Sequence, residues 1–347
     1  MKGLVVLLIS ALLIASFPIS RGEEKLRIGL VFDVGGRGDK SFNDAAYRGL
    51  EWASQKLGVN VTTVEPGPGG ADREILLRRM ARSNMDLVIG VGFLFSEAIV
   101  NTAKDYPGIK FACVDMDTSG VGELQDNIVA LVFNEEEGSF VVGAIAAMKT
   151  ERDTVGFVGG MTGPLIERFE AGYISGVKYI NPQCKVISVY AGNTPQAFAD
   201  PGKGYELGLQ LNRQGADVIY HASGNTGTGV YKAAQERGFY VIGVDSNQNY
   251  LGYDEASGKN WGLTSMLKRV DVATYLLIED LTKGKFEFGV HAYGLKDFVT
   301  MDNETYRTLD FAVDEYNRNL LDEKTIAKAN QIVGEIVKGE IKVPREI

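Results

Sequence analysis

The chain has 347 residues, and 45% of them are hydrophobic, so it is long enough and apolar enough for about two domains with sizeable cores. It carries 36 basic and 45 acidic side chains, a net charge of −9. This excess of acid argues against a nucleic-acid partner, which normally needs a basic face.

The first 22 residues have the pattern of a secretory signal peptide. Lys2 supplies the positive charge, residues 4–15 form an apolar run, and small residues follow at Ser20 and Gly22. The apolar run is shorter than a typical membrane span. We therefore expect export to the periplasm or another extracytoplasmic location. Because no Cys lies near the expected cleavage site, the sequence does not support a lipid anchor.

Apolar runs of strand length alternate with helical patterns along the rest of the chain, which predicts an α/β fold with parallel sheets covered by helices. The predicted strands are 27–32, 60–64, 87–91, 110–114, 128–133, 154–158, 185–190, 217–221, 240–244 and 262–265. The predicted helices are about 43–57, 72–83, 96–105, 136–149, 164–179, 203–214, 227–238, 270–283 and 323–338.

Ten strands are too many for one small doubly wound domain, so we expect two similar lobes. We predict a first boundary near 146–154, where a polar segment precedes a new strand, and further crossings near 263–267 and 286–292. Several crossings make a hinge, and the cleft between the lobes would hold a ligand. The expected lobes are 25–148 plus 265–287 for the first, and 149–264 plus 288–347 for the second.

The segment after the first predicted strand is the most informative one. It reads Asp33-Val-Gly-Gly-Arg-Gly-Asp39-Lys-Ser-Phe42-Asn43. A strand thus ends in a carboxylate, a glycine loop and an aromatic residue at the start of a helix. In open α/β sheets, ligands bind just beyond the carboxyl ends of the strands. We expect Asp33, Phe42 and Asn43 to bind a small polar ring compound.

Two more carboxylates share this position. Asp115 follows Ala-Cys-Val and Asp245 follows Ile-Gly-Val, each at the end of an apolar strand as Asp33 is. A single Asp there is often a helix N-cap, but three are harder to dismiss. Carboxylates accept hydrogen bonds from vicinal hydroxyls or a ring N–H and repel phosphate. A neutral polyhydroxy ligand therefore fits better than a nucleotide.

Aromatic and glycine positions complete the predicted site. Phe42, Phe169 and Phe198 lie in loops or early helix turns near the cleft edge and could sandwich a planar ring, although each could instead belong to the core. The loop 222–229 contains Gly224 and lacks the Lys-Ser/Thr ending of a P-loop, so its backbone N–H groups would bind a hydroxyl.

Lys268 follows a predicted crossing segment. It could donate to a ligand hydroxyl, form an ion pair with Asp245, or be a solvated surface lysine. No nucleophile, metal or acid–base motif is recognisable, so we expect a binding protein with no catalytic residues, metal or cofactor.

These residues, taken together, resemble the basic membrane protein family of extracytoplasmic substrate-binding proteins. The resemblance covers nearly the whole mature chain and several motifs in order. Besides the Asp33–Asn43 loop they are Glu136-Glu-Gly-Ser-Phe140, Gly159-Gly-Met161 with Pro164, Arg168-Phe-Glu-Ala-Gly-Tyr173, Ala199-Asp-Pro201, Gly215-Ala-Asp-Val218, Gly243-Val-Asp245 and Thr264-Ser-Met-Leu-Lys268.

The resemblance implies a two-lobed type I periplasmic-binding fold that holds a nucleoside, with a purine favoured, and presents it to the membrane permease of an ABC importer. It implies that Phe42 stacks on the base and that Asp115 binds the base edge. It also implies that Asp245 and Lys268 hold the ribose, while Asp33 and Gly224 complete the pocket.

Two departures from the family pattern bear on these expectations. Family members are commonly lipoproteins, whereas the lipobox Cys is missing here, and Asn247-Gln248 stands where the family often has Asp-Gln. We expect a monomer. A receptor for a sugar or another small polar solute, a ligand sensor and, less favoured, a nucleoside hydrolase stay open as alternatives.

Overall fold

The computed structural model describes residues 25–301 and 303–347, so the predicted signal peptide lies outside the described residues. With strands numbered in chain order, the first sheet has the order β2-β1-β3-β4-β5-β13 and all its pairs are parallel. Its strands are β1 (Arg27–Val31), β2 (Asn60–Val64), β3 (Leu87–Val91), β4 (Lys110–Val114), β5 (Ile128–Phe133) and β13 (Gly289–Tyr293).

The second sheet repeats this plan in the order β7-β6-β8-β9-β12-β16, and β16 is antiparallel to its neighbour. Its strands are β6 (Thr154–Met161), β7 (Lys185–Gly192), β8 (Val218–Ala222), β9 (Tyr240–Asp245), β12 (Gly262–Lys268) and β16 (Leu309–Phe311). Two small antiparallel pairs join β10 (Tyr253–Asp254) to β11 (Lys259–Asn260), and β14 (Phe298–Met301) to β15 (Glu304–Arg307).

Helices cover the faces of both sheets. They are α1 (Phe42–Leu57), α2 (Arg73–Arg82), α3 (Ser96–Asp105), α4 (Glu135–Lys149), α5 (Pro164–Ile180), α6 (Pro201–Arg213), α7 (Thr226–Arg237), α8 (Val270–Thr282) and α9 (Glu323–Val337). Central strands such as β3 and β8 are buried along their whole length, because helices pack on both sides of them. Among the described residues, no helix has both the length and the apolar character that a membrane crossing requires.

The ten predicted strands and nine predicted helices are all confirmed, with ends that differ by a few residues. The prediction missed six short strands, β10, β11 and β13–β16. Most of them are two to four residues long. Strand β13 has five residues, but they are at most half-buried at the sheet edge. Such segments carry too little apolar sequence to be recognised without their partners.

The predicted division into lobes needs three corrections. Helix α4 packs on α5, β12 and α9 of the second sheet's half, so the first crossing lies at Asn134 rather than near 146–154. Strand β12 belongs to the second sheet as far as Lys268, and α8 then packs on α1 of the first half. Strand β13 pairs with β5, so the last crossing follows Tyr293 rather than 286–292.

The first lobe therefore comprises 25–134 and 269–293, and the second comprises 135–268 and 294–347. The physical reason for the difference is that a helix pattern shows an apolar face but not which sheet that face covers. Helix α4 is buried on nearly all sides, so its sequence contains no stripe that would indicate its partner.

The contact between α4 and α5 is unusually close. A Cβ atom placed at Gly176 would overlap the carbonyl oxygen of Phe140, and one placed at Gly172 would overlap the carbonyl oxygen of Glu136. Glycine at these positions lets the two helix backbones touch, which seats a helix that directly follows a strand of the first sheet firmly on the second lobe.

We expect Gly176→Ala to destabilise the fold by about 1–3 kcal/mol or more, because the added methyl group must force the helices apart. The matched control is Gly334→Ala in α9, where a Cβ would meet nothing within 4 Å. That change should be neutral or stabilising by up to about 1 kcal/mol, because Ala is the better helix former. Urea unfolding midpoints check both, and equal effects would contradict the close-packing argument.

Candidate functional site

A cavity lies between the two lobes at the carboxyl ends of the strands. About 560 Å³ of space free of protein atoms is present there, counted out to the open mouth. All nine residues predicted for the site line this cavity: Asp33, Phe42, Asn43, Asp115, Phe169, Phe198, Gly224, Asp245 and Lys268.

The three carboxylates stand where the chain leaves the sheets. Asp33 follows β1 by two residues, Asp115 comes directly after β4, and Asp245 is the last residue of β9. Asp115 and Asp245 have φ values of 57° and 64°. Asp is among the few residues other than glycine that adopt this left-handed region with little strain. Strands β4 and β9 thus each end in a sharp turn at a carboxylate.

Lys268 joins two of these carboxylates across the lobes. Its Nζ lies 2.5 Å from Asp115 Oδ2 of the first lobe and 3.5 Å from Asp245 Oδ1 of the second, and its side chain is only 2% exposed. The ammonium also lies 4.8 Å from the ring centroid of Phe42 and 5.2 Å from that of Phe169, within cation–π range. The sequence alternative of a solvated surface lysine is wrong.

The electrostatics keep this ammonium charged. Burial by itself lowers the pKa of Lys268, but Asp115, Asp245 and Glu135 outweigh burial and raise its pKa above the ordinary value. Burial raises the pKa of Asp115, and Lys268 opposes that rise. The Lys268 ammonium therefore interacts favourably with several buried acidic side chains.

Two acceptor atoms in this group have no hydrogen-bond partner among residues 25–301 and 303–347. They are Oδ1 of Asp115 and Oδ1 of Asp245, and both are buried. Native proteins pair nearly all buried polar atoms, so unpaired acceptors that line a cavity indicate a place for the N–H or O–H donors of a ligand.

Asp33 and Asn43 are both held by hydrogen bonds inside the first lobe. Oδ1 of Asp33 accepts from the Val34 N–H at 2.7 Å and from Arg73 at 2.9 Å. The Asn43 amide accepts from the Asp33 N–H at 2.9 Å and donates to Asp39 at 3.1 Å. Asn43 thus braces the loop with its polar atoms, and direct contact between Asn43 and a ligand stays a prediction.

Aromatic rings line the cavity from both lobes. Phe42 belongs to the first lobe, while Phe169 and Phe198 belong to the second. The first lobe adds Phe93, whose ring meets that of Phe198 edge-on at 6.3 Å between centroids. A Cβ at Gly160 would overlap the Phe198 ring, so glycine in β6 makes the room for this side chain.

The sequence analysis missed several lining residues, among them Asp39, Gly92, Phe93 and Ser223. A signal for two of them was present, because Gly92 and Phe93 directly follow β3 at the same sheet edge as Asp33 and Asp115. Gly92 has a φ of 106°, and a Cβ there would lie 2.5 Å from Oδ2 of Asp33. Only glycine leaves that oxygen free.

Hydrogen bonds at the wall of the cavity hold the two lobes together. The Ser41 hydroxyl lies 2.8 Å from Asp245 Oδ2 and 3.0 Å from the Val244 carbonyl oxygen. In return, the Ser246 hydroxyl donates to the Ser41 carbonyl oxygen at 3.0 Å. The loop that carries Phe42 is therefore in direct contact with the strand end that carries Asp245.

Residues 26–346 match a protein-family model named Bmp, described as ABC transporter substrate-binding protein PnrA-like. The chain belongs to this family. Its Bmp membership confirms the resemblance seen in the sequence, and it means that the protein is a substrate-binding protein of the ABC transporter type.

Matches to individual proteins support membership of the Bmp family. An uncharacterized lipoprotein of Pyrococcus furiosus is 37% identical, over 79% of this chain and 69% of that protein. The ABC transporter nucleoside-binding protein BmpA of Lactococcus lactis is 30% identical, over 95% of this chain and 92% of that protein. A crystal structure of an ABC transporter solute-binding protein from Aeropyrum pernix has a TM-score of 0.78 and 31% identity, and it covers 92% of this chain and 94% of its own.

We expect Lys268→Met to lower the free energy of unfolding by about 3–5 kcal/mol, because it leaves buried carboxylates without their cation. Removing the ammonium raises the pKa of Asp115 further above its unfolded-state value. The folded variant then holds a proton that the unfolded chain releases, so its stability falls as the pH rises. The deficit should be larger at about pH 8 than at about pH 5.

Urea unfolding at the two pH values checks this, with Lys296→Met as the control, because Lys296 is exposed and outside the cavity. A deficit that does not depend on pH would show that Asp115 does not sense the ammonium.

Proposed function

We propose that this protein is an extracytoplasmic receptor that captures a nucleoside between its lobes, a purine nucleoside in the first instance, and delivers it to the permease of an ABC importer. Substrate-binding proteins of importers work outside the cytoplasm, in keeping with the signal pattern of the first 22 residues. The relative from Pyrococcus furiosus is named a lipoprotein.

One observation supports the proposal above the others. Phenylalanine rings from both lobes share a cavity with two buried carboxylate oxygens that lack hydrogen-bond partners in the described part of the chain. A nucleoside offers a flat base for the rings and N–H and O–H donors for the carboxylates, so it satisfies both features at once. The relative from Lactococcus lactis carries nucleoside binding in its name.

The charge of the cavity favours a neutral ligand. Asp33, Asp115 and Asp245 line it, and its lining cation Lys268 is already paired with Asp115. A phosphate group would meet carboxylates and no uncommitted ammonium among these lining residues, so binding would cost the energy of like-charge repulsion. We therefore propose a nucleoside and not a nucleotide.

Eight of the nine predicted residues have a role in contacting the ligand in this proposal. Phe42 would stack on the base, and Asp115 would accept from the base edge. Asp245 and Lys268 would hold the ribose hydroxyls. Phe169 and Phe198 would bring aromatic surface from the second lobe, and Asp33 with Gly224 would complete the pocket.

Lobe closure would couple capture to delivery. The cavity draws its walls from both lobes, and chain crossings at Asn134, at Arg269 and after Tyr293 can serve as a hinge. A ligand between the lobes would stabilise the closed arrangement, whose paired surfaces the permease would recognise. A ligand that binds both arrangements equally would not shift them.

Calorimetric titration of the mature protein, unfolded and refolded to remove any carried-over ligand, tests the function. The panel contains adenosine, guanosine, inosine, uridine, cytidine, the free bases, ribose and other sugars. We expect one-to-one binding of nucleosides and much weaker binding of bases and ribose, because only a nucleoside fills both halves of the cavity. Binding of sugars alone would replace the nucleoside proposal with a sugar receptor, and release of free base would indicate a hydrolase.

We expect Phe42→Ala to weaken the binding of every nucleoside in that panel by about 1–3 kcal/mol, because stacking depends little on which base is present. Phe288→Ala is the matched control, since Phe288 is 44% exposed and lies outside the cavity. A loss confined to one base would contradict simple stacking, and an unchanged affinity would remove Phe42 from the site.

A further inference from the structure

Arg73, at the start of α2, connects the cavity to a contact between the lobes. Its Nη2 donates to Asp33 Oδ1 at 2.9 Å, and its Nη1 donates to the Gly70 carbonyl oxygen at 2.8 Å. The side chain is only 11% exposed, although Arg73 itself does not line the cavity. A buried arginine that reaches a cavity carboxylate from behind can control that carboxylate without touching a ligand.

The hydrogen bonds of Asp33 leave one of its oxygens available. Oδ1 already accepts from the Val34 N–H and from Arg73. Oδ2 makes no hydrogen bond with the described part of the chain, and glycine at position 92 leaves the space beside it open. The Arg73 fork thus fixes the rotation of the carboxylate so that Oδ2 is the oxygen presented to the cavity.

The charges around Asp33 oppose one another. Burial raises the pKa of Asp33, Arg73 lowers it, and the charge of Asp115 raises it. The buried Cys113 thiol in β4 also faces this group, and its own pKa is raised well above the ordinary value by burial. Arg73 is therefore the cation that counters burial at Asp33.

Gly70 allows Arg73 to lie where it does. Its φ is 67°, and a Cβ on Gly70 would overlap the guanidinium of Arg73. Gly70 ends the short 3-10 turn Pro68–Gly70, which contacts the turn Pro195–Phe198 of the second lobe. The turn Pro195–Phe198 carries Phe198, which lines the cavity. The Arg73 side chain therefore lies between the carboxylate of Asp33 and a contact between the two lobes.

We propose that Arg73 is a positioning residue for ligand binding, which holds Asp33 with Oδ2 directed at a ligand donor and links Asp33 to the turn that meets the second lobe. The ligand's role in this inference rests on the proposed nucleoside function. The ligand group that binds to Asp33 would be an N–H or O–H donor, since an ionised carboxylate only accepts hydrogen bonds.

The first test needs no ligand. The Asp33 carboxyl carbon is followed by NMR against pH in protein labelled with 13C-aspartate, and Asp33→Asn identifies its signal. We expect Arg73→Met to raise the titration midpoint by about 1–3 units, because a neighbouring arginine lowers an aspartate pKa by about that amount. Arg73→Lys should keep most of the wild-type midpoint, since it retains the charge but not the fork.

Two glycine variants separate the position of the guanidinium from its charge. Gly70→Ala should raise the Asp33 midpoint because the added methyl displaces the guanidinium. Gly69→Ala is the matched control, since Gly69 also has a positive φ, 75°, but a Cβ there meets nothing within 4 Å. Both variants carry the same kind of backbone strain, and only the first should move the midpoint.

The second test measures inosine affinity against pH. Arg73→Met should bind inosine about tenfold more weakly at about pH 8, the loss expected when a hydrogen bond to a charged group is removed. The loss should grow as the pH falls, because Asp33 protonates earlier without Arg73. Arg73→Lys should recover part of the affinity and most of the pH profile.

The outcomes separate this inference from the proposed function. An Asp33 midpoint unchanged in Arg73→Met, or equal shifts in Gly70→Ala and Gly69→Ala, would overturn the inference even if nucleosides bind. Wild-type protein that binds none of the nucleosides would overturn the proposed function, while the carboxyl titration would still decide the role of Arg73.

Discussion

The buried ammonium of Lys268 is the interaction on which the arrangement of the two lobes depends. It ends β12 of the second sheet, yet its nearest partner is Asp115 at the end of β4 in the first. Burying a charge is costly unless it is paired, so the lobes must approach closely enough for these two groups to meet. The same approach brings Asp245 and the rings of Phe42 and Phe169 around one small volume.

Close contacts between helix backbones at glycine positions fix this approach of the two lobes. Glycines in α4 and α5 let the two helix backbones touch, and Gly49 in α1 allows the same contact with the backbone of Asp271 in α8. Helix α4 follows a strand of the first sheet but packs on the second lobe. Helix α8 follows a strand of the second sheet but packs on the first lobe. The crossings are therefore held by close backbone contacts between helices on both sides.

The walls of the cavity present aromatic rings and carboxylate oxygens that make no hydrogen bond within the described residues. Such walls suit a ligand with a flat ring and N–H or O–H donors. Glycines at positions 92 and 160 keep an oxygen of Asp33 open and give the ring of Phe198 its place. The carboxylates of Asp115 and Asp245 each keep one buried oxygen that makes no hydrogen bond with the described residues. A polar, aromatic cavity between the lobes is consistent with membership of the Bmp family of substrate-binding proteins.

The strands and helices, the two-sheet plan and the carboxylates at the strand ends could be predicted from the amino-acid sequence, because they follow from local apolar periodicity and from the rule that parallel strands end at one edge. The packing of α4 on the second sheet and the pairing of β13 with the first became visible in the folded chain alone. So did the pairing of Lys268 with Asp115 and of Arg73 with Asp33. These contacts join segments far apart in the chain, and no local pattern records which of several compatible partners a face or a charge will meet.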